Sequence, residues 1–305
     1  MNRKIGIIGV GNVGSALALA LVNQNICNEI ILFDTDFDKA QAHAYDIMDT
    51  LTFSPTFTKI VLVDCIDDLS SVDIIVNAVG PSEIATEDRL DEVEATAQIA
   101  RDTFPKLMAA GFNGIILNIT NPCDVITQLI QELTQLPKSR VFGTGTALDT
   151  ARLHVIIGQA LQLDPRSITG SVLGEHGESQ FVPWSTIKVH DKNIFDIQDA
   201  VDNIDPETTA ETVRLQGWKI FNGKGHTNFG IARAATKIIM AVFNNAQSIL
   251  TVSTYHEPLK CYIGLPAILC NKGIRFIAYP MLTEQEEAQL AASAKVIRTA
   301  FEKIG

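Results

Sequence analysis

Apolar residues in the first 145 positions fall into short runs separated by longer amphipathic stretches. KIGIIGV, EIILFD, KIVLVD, VDIIVNAVG, GIILNIT and RVFGTG are rich in Ile and Val, and each is short enough for a buried strand. GSALALALVNQ, EDRLDEVEATAQIARDTFPKLMAA and PCDVITQLIQEL have helical length and spacing, the last with Pro122 in its first turn. Alternation of this kind predicts a parallel sheet covered by helices on both faces.

Past about residue 145 the rhythm changes. A helix is expected from about Leu148 to Leu161, then strand-like SITGSVL and VPWSTIKV, then helices over about 207–222 and 227–249. ILTVSTY, CYIGLPAIL and GIRFIAY have the spacing of an antiparallel meander, and TEQEEAQLAASAKVIRTAFEKI is a closing helix. The expected division is a doubly wound α/β domain over 1–144 and an α+β domain over 145–305.

The first strand runs into GVGNVG, with Gly9, Gly11 and Gly14 in GxGxxG register and Asn12 and Val13 between the last two. The first glycine suits a tight turn, the second a close diphosphate and the third helix–sheet packing; the helix N-terminus attracts the phosphates. Asp34 follows twenty residues after Gly14, at the end of the second strand, where a carboxylate accepts from a ribose 2′-hydroxyl and repels a 2′-phosphate. The pair predicts a Rossmann fold that takes NAD in preference to NADP. In such sheets ligands sit outside the carboxyl ends of the strands, which adds Gly80, Asn118 and Asn121 to the expected cleft.

Net charge is −11, from 24 basic and 35 acidic residues, and no Lys/Arg cluster stands out. Nucleic acid and anionic membranes are therefore disfavoured partners. The apolar N-terminal stretch imitates a signal peptide or a membrane span, but four glycines and Asn12 make it a poor continuous helix. Five scattered cysteines without CxxC spacing point to reduced thiols in the cytoplasm, with no disulfide frame and no metal site.

Four further features can meet at the cleft. ALDTAR places Asp149 and Arg152 three residues apart on one helix face; SVLGEHGESQF places His176 between two glycines; TNPCD carries Asn121, and TEDRLDE carries Arg89. Singly, each has an ordinary reading: a surface ion pair, a turn histidine, a helix start, a solvated charge. Together they match what reduction of a 2-keto acid requires. Arg152 supplies a planar fork for the carboxylate, and His176 a proton near neutrality. Asp149 would fix the imidazole tautomer, while Arg89 and Asn121 would polarise the carbonyl.

These motifs, with DPRSITGSVLGEHGESQFVPWS and NGKGHTNFGIA, make the whole chain resemble the lactate/malate dehydrogenase superfamily, on its lactate dehydrogenase-like side. Within it the chain looks most like the L-2-hydroxyisocaproate dehydrogenases of lactic acid bacteria. The resemblance implies that His176 is the proton donor/acceptor, Asp149 its partner, Arg152 the carboxylate clamp and Arg89 the mobile-loop arginine. It also implies Asn121 on the nicotinamide and substrate side, and Thr227 on the pocket wall. Where the family's substrate-selecting side chain falls, an ungapped count from Gly80 gives Glu83, which cannot pair with a second substrate carboxylate. Malate dehydrogenase is thus disfavoured, and 2-ketoisocaproate-type acids stand beside pyruvate as substrates. The two positions that bind fructose bisphosphate in activated relatives hold His154 and Thr169, so no such activation is expected. Helices like the one at 227–249 pack between subunits in the family, implying a homotetramer, with a dimer second.

Two other classes share a first half of this kind. A metal-using NAD-dependent glycosidase needs a Cys/His metal site, and Cys123 has no obvious His partner. A non-catalytic NAD sensor has no use for His176, Asp149 and two arginines together.

Overall fold

The computed structural model describes residues 3–80 and 89–304, with the side chains of residues 89–92 set aside. The first half alternates as expected: β1 (Lys4–Ile8), α1 (Asn12–Asn23), β2 (Glu29–Phe33), α2 (Phe37–Asp49), β3 (Lys59–Val63), β4 (Ile74–Asn77), α3 (Arg89–Ala109), β5 (Ile115–Asn118), α4 (Cys123–Thr134) and β6 (Val141–Gly143). The second half holds α5 (Ala147–Ala160), the short strands β7 (Ile168–Thr169), β8 (Lys188–Val189) and β9 (Lys192–Asn193), then α6 (Gln198–Asn203), α7 (Pro206–Lys224) and α8 (Phe229–Phe243). β10 (Ser248–His256), β11 (Cys261–Cys270), β12 (Gly273–Ile277) and α9 (Glu284–Phe301) complete it.

Among the described residues the main sheet has nine strands in the order β12-β11-β10-β6-β5-β4-β1-β2-β3. β1 to β6 are parallel, and β10 joins β6 antiparallel through Ser253 and Gly143. The expected meander is present, and it extends the first half's sheet.

Side-chain alternation sorts the strands onto two cores. Ile5, Ile7, Ile30, Leu32, Ile74, Val76, Ile115 and Leu117 face α1, α2 and α8. Ile8, Ile31, Ile75 and Ile116 face α3, α4 and α9. α1 buries Gly14, Leu17, Ala18, Leu21 and Val22, one stripe at helical spacing. Each fully buried leucine in it contributes about 1.5–3 kcal/mol over an exposed one. A third core lies around α5, with Leu153, Ile157, Val172, Ile187 and Val213.

Local chemistry sets the ends. Asp205 accepts from Thr208 N–H at 2.7 Å and Pro206 opens α7, while Gly225 (φ 80°) closes it. A capping box of Thr283 and Glu286 starts α9.

Several elements differ from the sequence expectation: α6 and β9 were not anticipated, and VPWSTIKV forms a tight turn over Trp184–Thr186 with only the two-residue β8 after it. α2 was not anticipated: its buried stripe is only Ala40, Ala44 and Ile47, too faint beside its polar residues. SITGSVL yields a two-residue strand, since Gly170 (φ 103°) turns the chain before Leu173 bridges Phe181. α8 ends at Phe243 because Asn245 (φ 48°) turns the backbone, and Ser248 already belongs to β10. One side of α8 is packed inside this chain, while Phe229 and Met240 on the helix stay exposed. Ile231, Ala235, Ile238, Ile239 and Val242 are buried in the same core as Leu17 and Leu21 of α1.

Candidate active site

The glycine turn closes one end of the cleft. Gly9 has φ 90°, and a Cβ there would lie 2.7 Å from the Ala78 carbonyl oxygen. A Cβ on Gly14 would lie 1.9 Å from the Gly9 carbonyl oxygen, so only glycine lets α1 start this close to the turn. At Gly11 nothing stands within 4 Å of the same position. No side chain caps α1, and its first turn carries no acid, so its N–H groups and positive dipole end face that open space. Asn12 is exposed and Val13 half-buried beside it. Asp34 reaches back to the turn: Oδ2 accepts from Val10 N–H at 2.6 Å and Oδ1 from Asp36 N–H at 3.0 Å. An uncapped helix start, room at Gly11 and a carboxylate at the strand end suit a dinucleotide's diphosphate and ribose.

Beyond β4 and β5 the expected residues divide. Gly80 is exposed with nothing within 4 Å of its Cβ position, and Asn121 is exposed before α4. The Asn118 side chain, by contrast, is fully buried and spent inside the protein. Its amide donates to Thr120 O, Cys123 O and Thr127 Oγ1, each at 3.1 Å, and its oxygen accepts from Asn77 Nδ2 at 2.8 Å. Asn118 therefore braces the turn that presents Asn121, and its side chain does not face the cleft.

The second half supplies the reactive cluster. Asp149 and Arg152 lie on α5, and Asp149 Oδ1 accepts from Arg152 Nη1 at 2.9 Å. Asp149 Oδ2 is 2.6 Å from His176 Nδ1, so the Nδ1–H donates to it. Asp149 is 2% exposed and Arg152 9%, while the His176 side chain is 24% exposed. One carboxylate thus holds the histidine with one oxygen and the arginine with the other. His176 Nε2 has no partner among the described residues and is the edge left for a ligand.

The LGEHGES turn is pinned from several sides. Gly174 (φ 96°) pairs with Gly264 of β11, and a Cβ at Gly174 would lie 2.7 Å from Ser293 Oγ of α9. Glu175 folds back to accept from Ser179 Oγ at 2.6 Å, filling the space that a side chain at Gly177 would need. Glu178 pairs with Arg214 of α7. The His176 N–H donates to Asp124 Oδ2 at 2.8 Å.

Electrostatics favour a charged pair. Burial alone would lower the His176 pKa, but the Asp149 charge and hydrogen bond outweigh it and hold the value above the ordinary 6.5. Burial works to raise Asp149, yet His176 and Arg152 keep it below the usual carboxylate range.

Gly217 of α7 was not anticipated. A Cβ there would be 3.5 Å from Arg152 Nη2 and 3.6 Å from Nη1, so α7 presents bare backbone to the guanidinium. A mid-helix glycine in RLQGWKI is its only sequence trace. Asp124 and Ser253 were also missed. Thr227 is half-buried just before α8. The Arg89 backbone opens α3, but its side chain, like all of Glu83, lies outside the described residues. The described residues contain no cluster of three or more His, Cys, Asp or Glu fit to hold a metal, and no helix among them is long and apolar enough to cross a membrane.

A Rossmann nucleotide turn in one half, with a buried Asp that grips both His and Arg in the other, is the makeup of a dinucleotide-dependent oxidoreductase. Residues 3–143 match the lactate/malate dehydrogenase NAD binding domain, and residues 146–305 match the same family's alpha/beta C-terminal domain. The chain belongs to the lactate/malate dehydrogenase family, and its cofactor is NAD. It is 39% identical to L-lactate dehydrogenase 3 of Bacillus cereus, over 99% of this chain and 98% of that one. It is 38% identical to L-lactate dehydrogenase 2 of Listeria monocytogenes, over 99% of both. The crystal structure of a lactate dehydrogenase enzyme from a Medee basin deep-sea metagenome superposes with a TM-score of 0.95 at 36% identity, covering 99% of each chain. The minor L-lactate dehydrogenase of Enterococcus mundtii, in a ligand-bound form, superposes with a TM-score of 0.95 at 32% identity, covering 100% of this chain and 99% of that one.

Proposed function

We propose that this chain is an NAD-dependent L-2-hydroxyacid dehydrogenase that interconverts a 2-keto monocarboxylic acid and its 2-hydroxy acid. The observation that carries this reading is the Asp149 carboxylate shared between His176 and Arg152. Held by the Gly9–Gly14 turn and Asp34, the cofactor would as NADH supply a hydride for the substrate's carbonyl carbon and as NAD+ take it back from the hydroxy acid. Arg152 holds the substrate carboxylate with the guanidinium nitrogens that Asp149 leaves unused. His176 Nε2 gives its proton to the carbonyl oxygen in reduction and takes it back in oxidation. Asp149 keeps the ring oriented and stabilises the imidazolium. Arg89 and Asn121 polarise the carbonyl, Thr227 lines the pocket, and Glu83 stands in the substrate-selecting loop. Gly9, Gly11, Asn12, Val13 and Gly14 shape the diphosphate turn, Asp34 binds the ribose, and Gly80 borders the cleft.

The acid Glu83 cannot pair with a second substrate carboxylate, which favours apolar 2-keto monocarboxylic acids such as 2-ketoisocaproate beside pyruvate. Likeness to proteins named L-lactate dehydrogenase supports lactate and pyruvate as the substrate pair of this chain. A panel of pyruvate, 2-ketobutyrate, 2-ketoisocaproate, phenylpyruvate and oxaloacetate, followed by NADH oxidation, separates them. Preference for 2-ketoisocaproate or phenylpyruvate marks a broad hydroxyisocaproate-type enzyme; sharp preference for pyruvate marks a strict L-lactate dehydrogenase. Oxaloacetate winning would overturn the role given to Glu83.

The proposed setting is cytoplasmic, with no nucleic-acid or membrane partner. The functional division is 1–144 for NAD and 145–305 for the substrate. A homotetramer is proposed, with a dimer second. The support for association is exposed apolar surface: Phe229 and Met240 on α8, and Tyr45, Phe53 and Phe57 on and after α2. Equilibrium sedimentation showing a monomer would refute it.

A further inference from the structure

The TNPCD motif ends in a residue that the reaction scheme leaves unused. Asp124, in the first turn of α4, is 2% exposed. Its Oδ2 accepts the backbone N–H of His176 at 2.8 Å, and its Oδ1 accepts from Ser253 Oγ of β10 at 2.6 Å. It makes no salt bridge with a lysine or arginine among the described residues. A buried carboxylate without such a partner is costly, and a chain that needed only a loop anchor could use a neutral acceptor.

We propose that Asp124 is a second positioning carboxylate for His176, anchoring the histidine's backbone and holding the proton on its ring through a buried negative charge. This rests on His176 being the group that carries the proton. The groups facing His176 are Asp149 and Arg152 from α5 and Asp124 from α4. Those facing Asp124 are His176 and Glu175 from the turn, Cys123 beside it on α4 and Cys261 from β11. Burial pushes Asp124 up to about 6, against the hydrogen bonds of Ser253 and His176 that lower it. The charge is therefore present above about pH 6 and lost below it. In that upper range it adds to Asp149 in favouring the imidazolium.

Asp124→Asn keeps an acceptor for the His176 N–H and removes the charge. The test is the rate of keto-acid reduction and of hydroxyacid oxidation from about pH 5 to about pH 9, with NADH affinity read by fluorescence. Reduction needs the protonated ring, so its alkaline decline should move down by about one pH unit, making reduction roughly tenfold slower on that limb. Oxidation needs the proton-free ring, so its acid limb should gain by a similar factor. Below about pH 6 the two enzymes should converge, because Asp124 is then already neutral. Ser253→Ala leaves the carboxylate one partner short, raises its proton affinity and should shift both limbs in the same senses by less. It reads the same effect should Asp124→Asn fail to fold. Rates that fall together in both directions, with unmoved pH profiles, would reduce Asp124 to a loop anchor and overturn the proposal. His176→Asn is the separate control. If it turns over normally, the proton role and this proposal both fall. If it is inactive while Asp124→Asn leaves the profiles unmoved, only the role of Asp124 falls.

Discussion

His176 Nδ1 lies 2.6 Å from Asp149 Oδ2, and the same carboxylate grips Arg152 Nη1 at 2.9 Å through its other oxygen. The proposed proton carrier and the proposed substrate clamp are therefore fixed to one buried group. Asp149→Asn removes the charge that holds the His176 pKa up and permits the wrong tautomer. Turnover in reduction should fall by about 10²-fold or more, with NADH affinity unchanged. The pH direction follows from the shift. His176 is raised above 6.5, so its proton-donating form persists to higher pH in the native enzyme. Its stabilising contribution is whole at low pH and is lost as pH rises through the folded-state value. In Asp149→Asn the alkaline limb of reduction should move down, and thermal stability should become less sensitive to pH there. An unshifted limb would remove Asp149 from the proton's control.

Arg152→Lys tests the clamp. Lysine keeps the charge but cannot present two parallel donors to a carboxylate while also serving Asp149. The 2-keto acid kcat/KM should drop by about 2–5 kcal/mol in transition-state terms, while NADH binding is retained. Normal keto-acid saturation would show that the substrate carboxylate sits elsewhere.

Much of this arrangement is legible in the sequence. GVGNVG and Asp34 are local in sequence, and their roles depend on short-range sterics and a fixed strand–turn–helix order. The alternation of strands and helices likewise pointed to a parallel sheet covered on both faces, while the order of its strands came only with the fold. The His176–Asp149 contact spans 27 residues, and the Asp124–Ser253 contact 129. Neither leaves a periodic trace. Taken alone, Asp149 and Arg152 could equally be a surface pair, because i,i+3 spacing is identical on an exposed or a buried face; only their company with His176 singled them out. Burial of that face under the third core and α7 decides the matter, and burial is set by elements distant in sequence. Asn118 erred for a related reason: a strand-end position does not say whether its side chain turns to the cleft or back into the sheet.

The last two glycines of the turn should behave differently when changed to alanine. At Gly14 the new methyl would stand 1.9 Å from the Gly9 carbonyl oxygen, so the fold must give, at a cost of at least about 1–3 kcal/mol. At Gly11 the methyl meets nothing within 4 Å, so melting temperature should hold. The loss at Gly11→Ala should fall on NADH affinity alone, as the methyl occupies the proposed diphosphate space. Thermal melts with and without NADH, beside fluorescence titration, separate the two. Equal NADH affinity in Gly11→Ala and the native enzyme would place the diphosphate elsewhere.

Asp34→Ala probes the ribose end. The carboxylate already accepts from Val10 and Asp36 N–H groups, which aims it at the turn, and its charge is what a 2′-phosphate would meet. Removing it should weaken NADH and strengthen NADPH, narrowing the ratio of their kcat/KM values by roughly tenfold or more. Unchanged discrimination would take Asp34 away from the ribose.

Fructose bisphosphate should not activate this enzyme. His154 Nε2 lies 2.9 Å from the Gly170 carbonyl oxygen, to which it donates. Burial lowers its pKa, and nearby Lys237 lowers it further, so the ring is neutral at physiological pH and already engaged. A neutral, occupied imidazole offers a phosphate no charge and no free donor on that nitrogen. Thr169, the other position of interest, is exposed and uncharged on the two-residue strand β7. Keto-acid saturation curves with and without the bisphosphate should superimpose at neutral pH. A clear fall in half-saturation would mean that cations outside these two positions build the site. His154→Arg is the complementary variant: a guanidinium there restores charge, and a gain of bisphosphate response in it would show that this position controls the effect.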